Sequence, residues 1–420
     1  MNVERALQTL RRINAYSSTK RGITRLVYTD VYAEALYDFE KLLIQENLSV
    51  RRDPVGNLIA RREGVDPRLP AVACGSHLDT VVEGGAYDGT LGVAACLEVI
   101  RTMNERGLVT RHPLELIVFA AEESSRFGVA TIGSKAMAGL LDGKRLANVR
   151  DRDGVSLAEA LRRMGLDIGQ IHLARRRRSE LKAFFELHVE QGPVLESRGK
   201  TIGIVQAIAA PTRYVIRIDG KAAHSGTTPM AYRKDALAGA AEVILAVERA
   251  ARRYEGKGAV ATVGACRVQP GVMNVVPGSV ELMVDIRGTA RPAKAALARA
   301  LEAALARLQV DRGLRAEVNV LSDEDPVQLD RELAALIEAI CRKRGISAMP
   351  MVSGAGHDAM NMARLCPTAL IFIPSQGGLS HHPDERSSPE DIAAGLAVLY
   401  DAIVNLAEVI PRQPGRGETA

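Results

Sequence analysis

No apolar run in this 420-residue chain reaches the roughly 18 uninterrupted residues a membrane-spanning helix needs, so no span is expected. The first twelve residues mix polar and apolar side chains and do not read as a signal peptide. Cysteine is scarce: Cys74, Cys96, Cys266, Cys341 and Cys366 make an odd number, and no pair has CxxC spacing. Cys74 and Cys96 lie inside apolar runs, where core thiols are expected, which suits a reducing compartment and predicts a cytoplasmic protein. Neither sign of charge dominates. The 55 basic and 50 acidic residues leave +5, too little for this length to argue for nucleic acid or a membrane surface. One basic run stands out, Arg175, Arg176, Arg177 and Arg178. It could bind phosphate, but no aromatic residue interleaves with it, and the preferred reading is a solvated loop before a strand. Internal repeats and low-complexity tracts are absent.

What is present is ordinary for a folded chain: 47% hydrophobic and 25% charged residues. At roughly 150 residues per domain the length suggests two or three domains. Short apolar runs at 71–74, 114–120, 184–187 and 369–373 read as buried strands. Residues 92–103, 331–344 and 389–409 read as helices, and alternation of this kind predicts an α/β domain with a mostly parallel sheet. The middle differs. A strand at 213–219, a helix at 235–254, strands at 259–268 and 279–287, a helix at 293–310 and a strand at 315–321 give β-α-β-β-α-β, a small two-layer domain. The expected layout is a catalytic domain in two segments, 1–210 and 327–420, with a lid domain, 211–326, inserted between them. The polar tail at 411–420 is expected to be disordered.

The candidate chemistry falls at strand ends. His77 and Asp79 follow the first buried run, and Asp88 lies eleven residues after His77 in a glycine-rich stretch. Glu122 and Glu123 follow the second run, His188 closes the third, and His381 follows the fourth through a turn-rich loop. In an open α/β sheet that edge binds ligands. Three imidazoles and two carboxylates suit a pair of divalent cations if one carboxylate bridges, with positions left for water. Nitrogen and oxygen donors without thiolate fit Zn²⁺, Mn²⁺ or Co²⁺ and do not separate them. Adjacent carboxylates point different ways on an extended chain, so one of the Glu122–Glu123 pair can ligate while the other serves as general base. Asp79, two residues beyond His77, could orient its imidazole. Singly each motif is weak, and structural acids or surface histidines explain most such matches. Acids or histidines after each of several apolar strands are hard to explain as core, because buried charge is costly unless paired or metal-bound. His112 and His172 match nothing and read as surface histidines.

Read together, these motifs resemble the aminoacylase- and carboxypeptidase-type dinuclear metallohydrolases, in particular the N-carbamoyl-amino-acid hydrolase, β-ureidopropionase and allantoate amidohydrolase group. The resemblance runs from Gly22-Ile23-Thr24-Arg25-Leu26 to Ser380-His381-His382-Pro383-Asp384-Glu385. Its most specific stretches are Glu186-Leu187-His188-Val189-Glu190-Gln191-Gly192, His224-Ser225-Gly226-Thr227-Thr228-Pro229-Met230 and Ser353-Gly354-Ala355-Gly356-His357-Asp358-Ala359. Ser124-Ser125, where relatives usually carry Gly-Ser, is a conservative departure. Of the two adjacent histidines the first, His381, matches the ligand. The resemblance implies one metal on His77, Asp88 and His188 and a second on Asp88, Glu123 and His381, with Asp88 bridging. It implies that Glu122 is the base and then the acid. His224 would steady the oxyanion from the partner subunit, and Asn274 and Arg287 would hold the substrate carboxylate. Gln191, Gly356 and His357 would be further substrate contacts. The implied partners are a ureido-bearing small molecule and a second copy of the chain, joined through the lid domain. The expected activity is hydrolysis of N-carbamoyl-L-amino acids. Rivals are allantoate or β-ureidopropionate hydrolysis, a dipeptidase or aminoacylase, and a catalytically dead binding protein.

Overall fold

A computed structural model describes residues 1–410. They divide into two compact units: Met1–Gln206, Leu329–Met351 and the chain from Gly356 onward form unit 1, and Ala207–Gln328 with Val352–Ala355 form unit 2. The α/β class with an inserted domain expected from the sequence is therefore present. The tail at 411–420, expected to be disordered, lies outside the described residues. Among those described, no helix is long and apolar enough to cross a membrane.

Unit 1 is built on a mixed sheet with a parallel centre. Its order runs Ser49–Arg52, Leu58–Arg62, Leu114–Phe119, Ala71–His77, Leu181–Val189, Thr368–Ile373 and Ile202–Ile208. The four strands from Leu114–Phe119 to Thr368–Ile373 are parallel neighbours. They are buried along nearly their whole length, as parallel strands covered on both faces must be. Helices Thr90–Glu105 and Pro389–Ala407 supply much of that cover. Their apolar faces bury residues such as Val93, Leu97, Leu396 and Leu399, each worth about 1.5–3 kcal/mol when removed from water. The four parallel strands all end at the same sheet edge, so the loops that follow them converge there.

Unit 2 has a four-stranded antiparallel sheet in the order Ala259–Gln269, Ser279–Gly288, Ala210–Asp219, Arg315–Asp323. Tyr214, Ile216 and Ile218 alternate with less buried residues, as do Val280, Leu282, Val284 and Ile286. That period of two buries one face. Helices Ala236–Tyr254 and Arg291–Arg312 cover it with Ala240, Val243, Val247, Leu297, Leu301 and Leu308.

Two readings of the sequence need correction. His112 is buried, not a surface residue: its Nδ1 donates to the Pro70 carbonyl at 2.8 Å and its Nε2 lies 2.9 Å from Lys182 Nζ. Arg176, in the basic run, is also buried, because Glu115 and Glu180 neutralise it there.

Candidate metal centre

The loops at the converging edge gather the sequence candidates of unit 1. His77 ends its strand, and Asp88 lies just before the helix that begins at Thr90. Glu122 and Glu123 follow Leu114–Phe119, His188 is the penultimate residue of Leu181–Val189, and His381 lies beyond Thr368–Ile373. The backbone is forced at three of these loops. Ala121, Gln191 and His381 have φ of 54°, 61° and 53°, a region non-glycine residues enter at a cost of order 1–3 kcal/mol. Gly89, at φ 62°, has no choice: a Cβ there would meet the His77 ring at 2.4 Å.

Asp88 is the hub. Its Oδ1 lies 3.3 Å from both His77 Nε2 and His188 Nε2. Its Oδ2 lies 3.3 Å from His381 Nε2, which is also 3.3 Å from Glu123 Oε1. So His77, Asp88 and His188 form one group able to hold a cation, and Asp88, Glu123 and His381 form another, each with its donors within 4.8 Å of one another. A third group, Glu186, His188 and His357, reuses His188.

The donor chemistry fits metal ions. His77 Nδ1 donates to the Asp79 carbonyl and His188 Nδ1 to the Val189 carbonyl, each at 2.9 Å. The Nε2 atoms are thus turned toward Asp88, and His188 Nε2 accepts from Gly89 N at 3.2 Å. A nitrogen lone pair 3.3 Å from a carboxylate oxygen is repulsive unless a proton or a cation lies between. Donors bonded at 2.0–2.2 Å to a tetrahedral cation lie roughly 3.4 Å apart, which matches the 3.3 Å spacings around Asp88. Charge points the same way. Asp79, Asp88, Glu122, Glu186 and Asp358 are all buried in this region, and an uncompensated buried carboxylate is costly.

Residues 73–405 match the peptidase family M20/M25/M40. The chain belongs to that family. It is 40% identical over 387 residues to the N-carbamoyl-L-amino acid amidohydrolase of Geobacillus stearothermophilus, covering 92% of this chain and 94% of that protein. It is 36% identical to the allantoate amidohydrolase of Escherichia coli, covering 92% and 93%. The crystal structure of a hydantoinase/carbamoylase family amidase from Burkholderia multivorans superposes with a TM-score of 0.89 at 35% identity, covering 97% and 98% of the two chains. As an M20/M25/M40 member with such relatives, the chain is a hydrolase of non-peptide C–N bonds, and enzymes of this family use divalent metal ions.

In this M20/M25/M40 chain the side chains around the ligands are tightly held. Burial pushes the Glu122 carboxyl well above the usual carboxylate range; His77 opposes that shift and Glu123 adds to it. Glu122 Oε2 lies 3.7 Å from His77 Nε2. Burial alone would lower the His77 pKa, but Glu122, Asp88 and Asp79 outweigh it and hold it well above the usual value. Hydrogen bonding to Asp88 and Glu123 pushes His381 up to about 11. Negative surroundings that stabilise a proton on these rings also stabilise a metal cation. Asp79 takes a different position from the one its spacing suggested. Its carbonyl, not its carboxylate, orients His77, while its carboxylate accepts from Glu122 N at 3.2 Å and Glu123 N at 2.9 Å. Gln191 donates to Asp88 Oδ2 at 2.7 Å, and its buried Oε1 has no partner among the described residues. His357 is buried against His188, ring centroids 4.6 Å apart, and burial holds its pKa well below the usual value. Gly356 is exposed beside it.

His224, Asn274 and Arg287 belong to unit 2. His224 and Asn274 are neighbours, since Val275 pairs with His224 and Ser225 N donates to the Asn274 carbonyl. His224 Nδ1 accepts from Gly226 N and Thr227 N at 3.0 and 3.2 Å, so the neutral ring carries its proton on Nε2. Arg287, on Ser279–Gly288, is paired with Asp285 at 3.1 Å and donates to the Gly354 carbonyl at 2.9 Å.

Three supporting residues went unread in the sequence. Glu385 accepts from Tyr87 N at 2.9 Å and Asp88 N at 3.0 Å, which fixes the loop that aims Asp88. Ser380 bridges Asp88 and Glu385. Arg25, fully buried, donates to the Leu78 carbonyl at 2.6 Å and to Thr90 Oγ1 at 2.9 Å, tying the segment after His77 to the helix after Asp88. Burial lowers its pKa to about 10. Arg25 and Glu385 lie in the outermost stretches of the resemblance, which was the available signal.

Proposed function

We propose that this chain hydrolyses the ureido C–N bond of N-carbamoyl-L-amino acids, giving the amino acid, ammonia and CO₂. The observation that carries this reading is Asp88 set between two histidine groups, with buried Glu122 beside His77 and with Gln191 donating to Asp88 while its Oε1 is left without a partner among the described residues. His77, Asp88 and His188 would hold one divalent cation and Asp88, Glu123 and His381 the other, as Zn²⁺, Mn²⁺ or Co²⁺. Such a pair lowers the pKa of water toward ~7 and polarises a carbonyl.

The protein's own groups do the rest. Glu122, its pKa raised by burial, takes a proton from the attacking water and delivers it to the leaving nitrogen. Asp79 fixes the backbone of the glutamate pair, so that Glu122 and Glu123 keep separate tasks. Gln191 Oε1 is an acceptor suited to a ureido N–H, whereas a peptide substrate offers no terminal NH₂ there. Gly356 and His357 complete the substrate contacts. To unit 2 we assign a lid and dimerisation role. The Nε2–H of His224 would donate to the oxyanion, and Asn274 and Arg287 would anchor the carboxylate, Arg287 through its planar fork.

The test is turnover by metal-reconstituted protein, read as ammonia release from N-carbamoyl-L-amino acids, N-carbamoyl-β-alanine and allantoate and as free amino acid released from dipeptides. N-Carbamoyl-L-amino acids should give the highest kcat/KM. A higher value on allantoate would move the chain to that activity, and cleavage of dipeptides alone would overturn the ureido reading.

A further inference from the structure

The four arginines at 175–178 line an open groove of about 930 Å³ in unit 1, joined by Arg364 from a distant part of the chain. No acidic side chain lines it. Glu115 and Glu180 hold Arg176, which is buried at the groove's base. Arg177 shares Glu180. The other three guanidiniums are not neutralised. Arg178 donates to the Arg364 carbonyl at 3.2 Å, and among the described residues Arg175, Arg178 and Arg364 form no ion pair. Their places are set by the fold. Arg176 N bonds to the Met137 carbonyl at 2.9 Å, and the Arg175 side chain lies over Gly139, where a Cβ would meet it at 2.8 Å. Apolar side chains, Leu140 and Leu365, share the lining, and Leu140 is 45% exposed.

A solvated basic loop has no reason to bring a fifth arginine from a distant segment, or to turn one arginine inward onto Glu115 and Glu180. Unpaired like charges around one groove repel each other and favour an anion that neutralises them. Guanidinium forks match phosphate oxygens in two-pronged fashion. The groove is of the size of small-molecule sites, roughly 300–1,000 Å³, and exceeds what one phosphate fills. Its apolar part calls for a ligand with an apolar or aromatic body. We propose that this groove binds a phosphorylated small molecule of nucleotide size, its phosphates on Arg175, Arg178 and Arg364 and its body against Leu140 and Leu365. This site is separate from the metal centre and does not rest on the function proposed above.

ADP is the probe, with pyrophosphate and adenosine as its two halves, measured by calorimetry on the metal-loaded protein. ADP should bind with a dissociation constant below about 1 mM, pyrophosphate more weakly, and adenosine not detectably. Arg175→Ala/Arg364→Ala should weaken ADP at least tenfold, and the Lys/Lys variant should lose less. Unchanged amidohydrolase turnover shows that both variants are folded. Absent ADP binding, equal binding in the double-alanine variant (the signature of chelation at the metal centre), or equal competition by sulfate at the same ionic strength would each overturn the proposal.

Discussion

In unit 1, His77, Asp88 and His188 are almost wholly buried, and each is fixed by neighbours that are themselves fixed. In unit 2, His224 and Asn274 are exposed, and Arg287 keeps a third of its side chain in water. The difference follows the chemistry each set is suited to. Cation ligands must be held in place before the ion arrives, because lone pairs aimed at one point repel one another until a proton or a cation lies between them. The groups of unit 2 assigned to the substrate stay open to it, and their order would be supplied by the substrate itself. His224 is a partial exception: two backbone N–H groups fix its tautomer while its ring stays exposed.

That contrast can be broken or sharpened by mutation. Asp88→Asn should have the largest effect, since both metal groups use this carboxylate. Loss of both cations by elemental analysis and a fall in kcat of about a thousandfold are expected; full metal content would deny Asp88 its bridging place. Glu122→Gln should keep both cations and lose about 10²- to 10⁴-fold in kcat, and unchanged kcat would sink its role as proton carrier. Next come the residues of unit 2. His224→Ala should lower kcat by about 10²-fold. Arg287→Ala should raise KM by about 10- to 100-fold, the loss of charged hydrogen bonds of roughly 1.5–3 kcal/mol. Both should leave metal content unchanged, and mixing the two variants should restore part of the activity if sites are shared across a dimer. No recovery in verified mixed dimers would deny the sharing. Glu385→Gln should have the smallest effect on turnover. Metal affinity should fall about 10- to 100-fold, and added metal should restore activity. A defect that metal does not relieve would place Glu385 outside the support of Asp88.

Much of this was legible in the sequence because periodicity and strand ends are local signals. The six elements expected in unit 2 begin and end within a few residues of where alternation and helical spacing put them. The histidines and acids of unit 1 stand out because they follow apolar runs. Contacts between distant segments left no such trace. Glu385 reaches Asp88 across almost 300 residues, and the Asp79 carboxylate finds the glutamate pair and not the nearer imidazole. His112 looked like a surface residue because the Pro70 carbonyl and Lys182 that accompany it come from other strands and loops. Arg176 hid within a run of identical neighbours of which it alone turns inward. The strand Ala348–Ser353 was missed because a half-exposed strand containing proline carries no apolar run.

The place of strand Thr368–Ile373 also fixes an order of events during synthesis. It lies between Leu181–Val189 and Ile202–Ile208, both of which leave the ribosome long before it. Every strand of the four-stranded sheet in unit 2 emerges in the interval, so that sheet can close while the larger one still has a slot at its centre. His381 emerges only after the strand that fills the slot. A late stretch of the chain therefore completes the larger sheet and brings in the final imidazole together, so the group Asp88, Glu123 and His381 is assembled only late in the making of each molecule, well after His77, Asp88 and His188 have emerged.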